Sequence, residues 1–332
     1  MPDSRESLAK LGVTLTETDG HLFHGIRFEN ATSRVDANFP SGQGIGVRRP
    51  HLHRILTDRA LADGAHLLFN SRVQLPEDRA STDSYRTALV NGKPMRFRWL
   101  IGADGQASSV RKWAGLEHFR KRELRFGFRT HYKVAPWSPY VEVHWGRGGQ
   151  IYATPVAEDC VCVVYITRNA KCDRDTILDG FPEVAARLAG AETVSQQRGA
   201  VTATCKLHRV ASDSVALIGD ASGSADAITG EGLALTFRQA IKVAEAIDSG
   251  SLLSYNRAHR AIGKLPHAMG SLMLTLDRRP ALQVRAMRAL ASTPGLFQEL
   301  LQTHVGERSL SSVLIRRGPG FGLKILTQGA FA

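Results

Sequence analysis

Two stretches of the chain end an apolar run in glycine and aspartate, a pairing suited to holding a ligand. The first reads Trp99-Leu100-Ile101-Gly102-Ala103-Asp104-Gly105 and continues through Ser108 to Arg111. The second reads Val215-Ala216-Leu217-Ile218-Gly219-Asp220 and continues through small residues to Gly230-Glu231-Gly232. Glycine lets backbone come close to a bound molecule. A helix opening at Gly230 to Gly232 would add unpaired N–H groups and about half a positive charge. An electron-poor ring that gains negative charge on reduction would be stabilised at such an end. A carboxylate at the end of a buried strand needs partners, so Asp104 should accept hydrogen bonds from backbone N–H groups or ligand hydroxyls. The plain alternative is a strand–turn–helix with a Ser cap. It accounts for the Asp-Gly turn of the first stretch and for one glycine of the second, but not for the cluster.

Ligands of open α/β sheets bind at the carboxyl ends of strands, so the surrounding pattern must supply strands and helices that aim these loops. Leu233, Phe237, Ala240, Ile241, Ala244 and Ile247 share one face of a helix expected from about Gly232 to Asp248. Residues Asp3 to Leu11 read as a helix ending at Gly12, and Pro50 to Gly64 as another with Gly64 as its cap. HLFHGIRFEN alternates as a half-buried strand does, and AHLLFN, TALVNG and MRFRWLIGADG also read as strands. From Phe119 to about Val210, RFGFRTHYKV, YVEVHW, QIYATPV and CVCVVYIT are short aromatic and β-branched runs separated by turns, which predicts an antiparallel sheet. FPEVAARLAG follows as a short helix. The last eighty residues read as helices broken at Pro266, Pro280 and Pro294.

With 332 residues, 43% hydrophobic and 22% charged, the chain has the composition of a soluble globular protein with a sizeable core. It has no apolar run long enough to span a bilayer and no secretory signal at MPDSRESLAKLG, so the cytoplasm is the expected compartment. Cys160, Cys162, Cys172 and Cys205 show no metal spacing and read as small buried hydrophobes, with Cys160 and Cys162 on one strand face. Of the net charge of +12, the part from Ser251 onward carries +8, with eleven Lys and Arg against three Asp and Glu. These cations are scattered along helical patterns without interleaved aromatics, which argues against a nucleic-acid partner. They read as a solvated basic face, with peripheral contact to an anionic membrane surface as the second reading.

Taken in order, the two loops resemble two fingerprints of the flavoprotein hydroxylase fold, shared by p-hydroxybenzoate hydroxylase and geranylgeranyl reductase. LIGADGQASSVR resembles the Asp-Gly motif and VALIGDASGSADAITGEGLAL the Gly-Asp motif, with Asp104 and Asp220 lying 116 positions apart around the β-rich block. GVRRPHLHRILTDRALADGA resembles the Arg-x-x-Leu helix of the same family. The resemblance implies an α/β (α+β overall) fold: an incomplete Rossmann-like FAD-binding domain over 1–12, 47–117 and 211–250, interrupted by an antiparallel-sheet substrate domain over 13–46 and 118–210, then a helical region over 251–332. It implies FAD as cofactor and NAD(P)H as electron donor. Arg49 would reach the FAD, Asp104 would lie near its pyrophosphate and Asp220 would hold the ribitol. Gly230 and Gly232 would set amides at the pyrimidine end, and Gly102, Gly105, Gly219 and Glu231 complete the implied cofactor set. Two chemistries follow from the resemblance: monooxygenation of a small aromatic or isoprenoid substrate, or hydride transfer to an alkene. The sheet face between Arg125 and Ile166 would form the substrate wall, with His131, Tyr132, Tyr140, His144, Trp145 and Tyr152 as candidates. No proton donor is assigned among them, since a lone strand histidine is more often structural.

Two departures bear on this. Ala227 stands where the family often has Pro beside the flavin. The GxGxxG unit that opens the family is absent, because GQGIGVR has glycines at 42, 44 and 46 with neither that spacing nor a preceding strand. The expectation is a chain that starts about one βαβ unit late, with Met1 an internal methionine. Losing two or three charge-assisted bonds to the diphosphate, each worth roughly 1.5–3 kcal/mol, would weaken FAD binding by several powers of ten. A non-catalytic remnant and a basic binding module are the alternatives.

Overall fold

The computed structural model describes residues 1–76, 85–146, 148–171 and 174–327. The chain begins with helix α1 (Pro2–Lys10) and strands β1 (His21–Phe23), β2 (Gly25–Asn30), β3 (Ser33–Asn38) and β4 (Gly44–Gly46). Helix α2 (Arg49–Ala62) follows, then β5 (Val73–Gln74), β6 (Arg86–Val90), β7 (Lys93–Phe97), β8 (Leu100–Gly102) and α3 (Ser109–Trp113). The central part holds β9 (Phe119–Lys133), β10 (Tyr140–Gly146), β11 (Gly149–Ala157), β12 (Cys160–Thr167), α4 (Arg174–Asp179), α5 (Pro182–Leu188), β13 (Glu192–Thr193) and β14 (Arg198–Leu207). Then come β15 (Val215–Leu217), β16 (Gly223–Ser224) and α6 (Gly232–Asp248). The chain finishes in α7 (Tyr255–Arg278), α8 (Pro280–Ala291), α9 (Leu296–His304) and α10 (Leu310–Thr327).

The β-rich block forms one nine-stranded sheet in the order β16-β14-β9-β12-β11-β10-β2-β3, with β13 beside β9. It is antiparallel except where β10 runs parallel to β2. Its two faces are covered differently. Tyr132, Ile151, Ala153, Val161, Val163 and Tyr165 pack outward against Ile177, Phe181, Val184 and Leu188 of the α4–α5 segment. Val143 and Trp145 pack inward against Ile228, Met273 and Leu274. The inner face therefore looks toward the glycine-rich loop and α7. A second, two-stranded sheet pairs β8 with β15 in parallel. Its core joins Ala216 and Leu217 to Val243, Ala246 and Tyr255 of α6 and α7. Burying each such large apolar side chain contributes roughly 1.5–3 kcal/mol, enough to pin α6 under the loops it follows.

Several predicted elements form where the residues require them. Gly12 and Gly64, at φ +75° and +83°, follow the ends of α1 and α2 in the left-handed region that a side chain resists. The Asn91-Gly92 turn between β6 and β7 has both residues at positive φ, as a two-residue hairpin needs. Other predictions require correction. HLFHGIRFEN is two strands, because β1 pairs with β4 while β2 belongs to the large sheet. MRFRWLIGADG likewise divides into β7, in an antiparallel meander, and β8, in the parallel pair. AHLLFN forms no strand: among the described residues nothing pairs with it, and Leu68 and Phe69 stay more than half exposed, at 57% and 62%. Pro266 lies inside α7 and does not break it. Packing of Met273 and Leu274 on the sheet outweighs one missing backbone bond. Cys172 lies outside the described residues; Cys160, Cys162 and Cys205 are buried.

Candidate functional site

The parallel pairing sets Gly102 opposite Leu217, and the Ile218 N–H donates to the Gly102 carbonyl at 2.9 Å. The two glycine–aspartate loops therefore leave adjacent strands at the same end of the sheet. Gly102 itself is enclosed: a Cβ there would lie 2.8 Å from Leu217 and Val110 atoms, so its missing side chain serves strand packing. Gly105, at φ +80°, turns the chain, and a Cβ on it would meet nothing within 4 Å. Asp104 accepts the N–H groups of Ser109 and Val110 at 2.7 and 3.1 Å and the Ser109 hydroxyl at 3.0 Å, which caps α3. Partial burial raises its pKa, but the donors from Ser108, Val110 and Ser109 together outweigh this and hold it below the ordinary carboxylate range. The backbone partners expected for Asp104 are thus those of the helix that follows it.

A buried arginine joins the two loops. Arg111, at 5% exposure, donates from Nη1 to the Ala221 carbonyl at 2.9 Å and from Nη2 to the Gln106 carbonyl. It sits in α3, with Ser108 capping its own N–H at 2.9 Å. The second loop is gripped from below by α6 and α7. Gln239 Oε1 accepts the Gly219 N–H at 2.7 Å, and Gly219 takes φ +57°. The Tyr255 hydroxyl donates to the Leu217 carbonyl at 3.1 Å, and His259 Nε2 lies 3.0 Å from the Ser222 hydroxyl. Burial pushes His259 down to about 4, so it is neutral near pH 7. Asn256 Oδ1 accepts the N–H groups of Val210 and Ala211 at 2.9 and 3.1 Å, anchoring the approach to β15. Burial around its carboxyl raises the pKa of Asp220, and the Arg49 guanidinium opposes the rise. Arg49, at the start of α2, thus acts on the second loop through its charge.

Gly230, at φ +66°, and Gly232, the first residue of α6, are both exposed. A Cβ on either would meet nothing within 4 Å. The space beside both glycines is open, but the Gly230 N–H already donates to the Ala227 carbonyl at 3.0 Å, so an anionic or electron-poor group placed there would be received by the first turn of α6. Glu231 between them points the other way. It is 2% exposed, its Oε2 is 3.8 Å from His304 Nδ1, and burial pushes it up to about 8. Glu231 offers a ligand its backbone, not its carboxylate.

The candidate substrate wall divides by strand parity. Val143, Tyr152, Val164 and Arg129 are cross-strand neighbours on the inner face, and His131 with Cys162 lies on the same side. Trp145 and Tyr152 therefore flank the glycine-rich loop, and the Tyr152 hydroxyl donates to the Ile228 carbonyl at 3.0 Å. Burial holds His131 at about 4, with its Nδ1 2.9 Å from the Ser195 hydroxyl. Tyr132, Tyr140 and His144 belong to the outer face instead. His144 Nε2 lies 3.0 Å from Glu142 Oε2, which also accepts the Trp137 N–H at 2.8 Å. Burial raises the Glu142 pKa, but the His144 and Trp137 donors help outweigh it and leave it at about 2. A hollow of about 750 Å³, lined by His21, His24, Arg48, His51 and Glu158 among others, touches neither glycine–aspartate loop. Among the described residues no cluster of His, Cys, Asp and Glu could hold a metal ion, and no helix is long and apolar enough to cross a membrane.

Sequence reasoning did not single out Arg111, Gln239, Tyr255, Asn256 or His259. Arg111, Gln239, Tyr255 and Asn256 act on backbone distant in the chain and His259 on the distant Ser222 hydroxyl, so no local pattern marks them.

Comparison with known proteins bears on the same loops. The family profile described as FAD binding domain matches residues 6–249. The chain is 30% identical over 252 residues to the digeranylgeranylglycerophospholipid reductase of Methanothrix thermoacetophila, covering 68% of this chain and 63% of that protein. It is 33% identical over 93 residues to the rifampicin monooxygenase of Rhodococcus hoagii, covering 28% of this chain and 18% of that protein. The chain thus spans less than two thirds of either relative. A flavoprotein/dehydrogenase structure from Cytophaga hutchinsonii superposes with a TM-score of 0.78 at 14% identity, covering 98% of this chain and 86% of that one. At that identity the likeness establishes the fold.

Proposed function

Because the chain belongs to the FAD binding domain family, we propose that it is an FAD-dependent oxidoreductase of the monooxygenase type, acting on a small organic substrate. The observation that carries this is the convergence of two glycine–aspartate loops at one end of β8 and β15, beside open space at the N-terminus of α6. The residues fit the group. Gly230 and Gly232 would receive the electron-rich edge of the ring, Asp220 and Arg49 the chain beyond it, and Gly105 would leave room for phosphate. When bound, FAD supplies two-electron redox chemistry and the protein supplies position and electrostatics. The chain's own residues then do three things. Arg111 holds the loops at a fixed spacing, α6 directs its amides at the ring, and the inner sheet face around Trp145 and Tyr152 keeps water from the other side. NAD(P)H is the proposed electron donor, and the cytoplasm the proposed compartment. The segments 1–12, 47–117 and 211–250 would form the cofactor domain, with 13–46 and 118–210 as the substrate domain.

A second reading, hydride transfer to an alkene of an isoprenoid, is favoured by the likeness to the archaeal reductase. One titration and one atmosphere change test both. Added FAD should show quenched flavin fluorescence and a structured absorbance band on binding. Loss of the reduced flavin's electrons to air with an oxygenated product supports the first reading; an alkene saturated under argon supports the second. A chain that takes up no flavin even with FAD in excess overturns both.

A further inference from the structure

Behind the glycine-rich loop lies a buried polar network that the preceding chemistry does not use. Arg125, in β9, is only 1% exposed. Its Nη1 donates to Asp226 Oδ1 at 2.9 Å, its Nη2 donates to Gln150 Oε1 at 3.3 Å, and Nη2 lies 3.7 Å from Asp277 Oδ1. Asp226 Oδ1 also accepts the Ile228 N–H at 3.0 Å, capping the single 3-10 turn Ala227–Thr229 that leads into Gly230. The carbonyl of the same Ile228 is taken by Tyr152 of β11 at 3.0 Å. Both polar backbone groups of Ile228 are therefore held by side chains tied to the sheet network, two positions before Gly230.

Stability alone does not explain such a network, because a buried ion pair replaced by apolar groups of similar size often costs nothing. What it does do is fix one turn against one sheet. We propose that the Arg125–Asp226 pair is a positioning device that sets the Gly230–Gly232 backbone, and with it the first turn of α6, at a defined place over the substrate sheet. The proposal rests on the reading that this backbone receives FAD. The backbone offers an independent handle. Asp226 has φ −61° and ψ 146°, the conformation that a following proline prefers. Ala227 is exposed and opens the turn, so Ala227→Pro would stiffen the same turn covalently, at the loss of one weak bond from Ala227 N–H to Thr202 at 3.4 Å.

The test uses the full chain with Arg125→Met/Asp226→Asn, in which the amide oxygen still caps Ile228 while both charges are gone. Without FAD, exchange of the 228–230 amides should quicken by about tenfold or more while core amides stay protected. With FAD, affinity read by fluorescence quenching should fall by about tenfold. Adding Ala227→Pro should restore most of both. Unchanged exchange at 228–230, weaker FAD binding without faster exchange, or no recovery with the proline would each overturn the proposal. Should the double variant not fold, Arg125→Lys, which keeps the charge but not the fork of contacts, decides by the same two measurements. A parent chain that binds no FAD overturns the functional reading, and the exchange rates still decide whether the pair fixes the turn.

Discussion

Glu231 couples the candidate cradle to pH in a direction that can be worked out. In the unfolded chain its carboxyl titrates at the ordinary value of 4.5, and in the fold it is pushed up to about 8 by burial. Between these values the folded chain holds a proton that the unfolded chain has released, so the residue lowers stability as pH rises and its effect levels off above 8. His304, held at about 4 instead of 6.5, acts below pH 6.5 and in the opposite sense, costing stability as pH falls. The cleaner window is therefore pH 6.5 to 8, where Glu231 should remove about 2 kcal/mol. Glu231→Gln keeps the shape without the ionisation. Its urea midpoint relative to the parent should climb steadily across that window, and a constant difference would show that the carboxyl titrates normally. Residues of this kind were only partly legible in the sequence. Asp104, Asp220 and the glycines were visible because strand-end glycine–aspartate pairs are local. Arg111, which reaches a carbonyl 110 positions away, was not, since nothing near an arginine in the chain tells that distant backbone will bury it.

At the scale of elements, α6 carries the sharpest distinction between holding the fold and holding a ligand. Gly232 is its first residue, and an added Cβ meets nothing within 4 Å. Alanine is the better helix former by up to about 1 kcal/mol. Gly232→Ala should leave the thermal midpoint unchanged or higher, while weakening FAD binding by about tenfold through the methyl alone. Calorimetry and a flavin titration check the pair; undiminished binding would mean that these amides do not face the cofactor. The helix itself was legible from its apolar face, and it spans Gly232–Asp248 as the periodicity predicts. What was not legible is where a continuous apolar run changes sheets. His24 separates β1 from β2, and residues 98 and 99 separate β7 from β8, because each strand finds its partner in a different part of the chain. AHLLFN has the composition of a strand but no ladder to join.

Across the whole molecule, three arginines of the basic C-terminal region gather around one acid. Glu299 in α9 receives Arg308 at 3.4 Å, Arg316 at 2.6 Å and Arg317 at 3.1 Å. Hydrogen bonds from Arg316 lead the causes that hold the Glu299 carboxyl below its usual range. Part of the excess charge is thus spent inside the fold. Glu299→Gln should loosen α10 and quicken tryptic cleavage after Arg316 and Arg317, with the large sheet untouched; equal cleavage rates in parent and variant would show that apolar packing alone seats the helix. The placing of a β-rich block between the two glycine–aspartate loops was readable from the order of motifs, whereas the outward turn of Tyr132, Tyr140 and His144 depends on register that no single strand reveals. One bond, from Ile218 N–H to the Gly102 carbonyl, also has a consequence for synthesis. Closing a loop of this span costs on the order of 4 kcal/mol in chain entropy. At about 5–20 residues per second, β8 waits on the order of ten seconds on the ribosome before its neighbour is made. A flavin met by the nascent chain in that interval would find only half a seat.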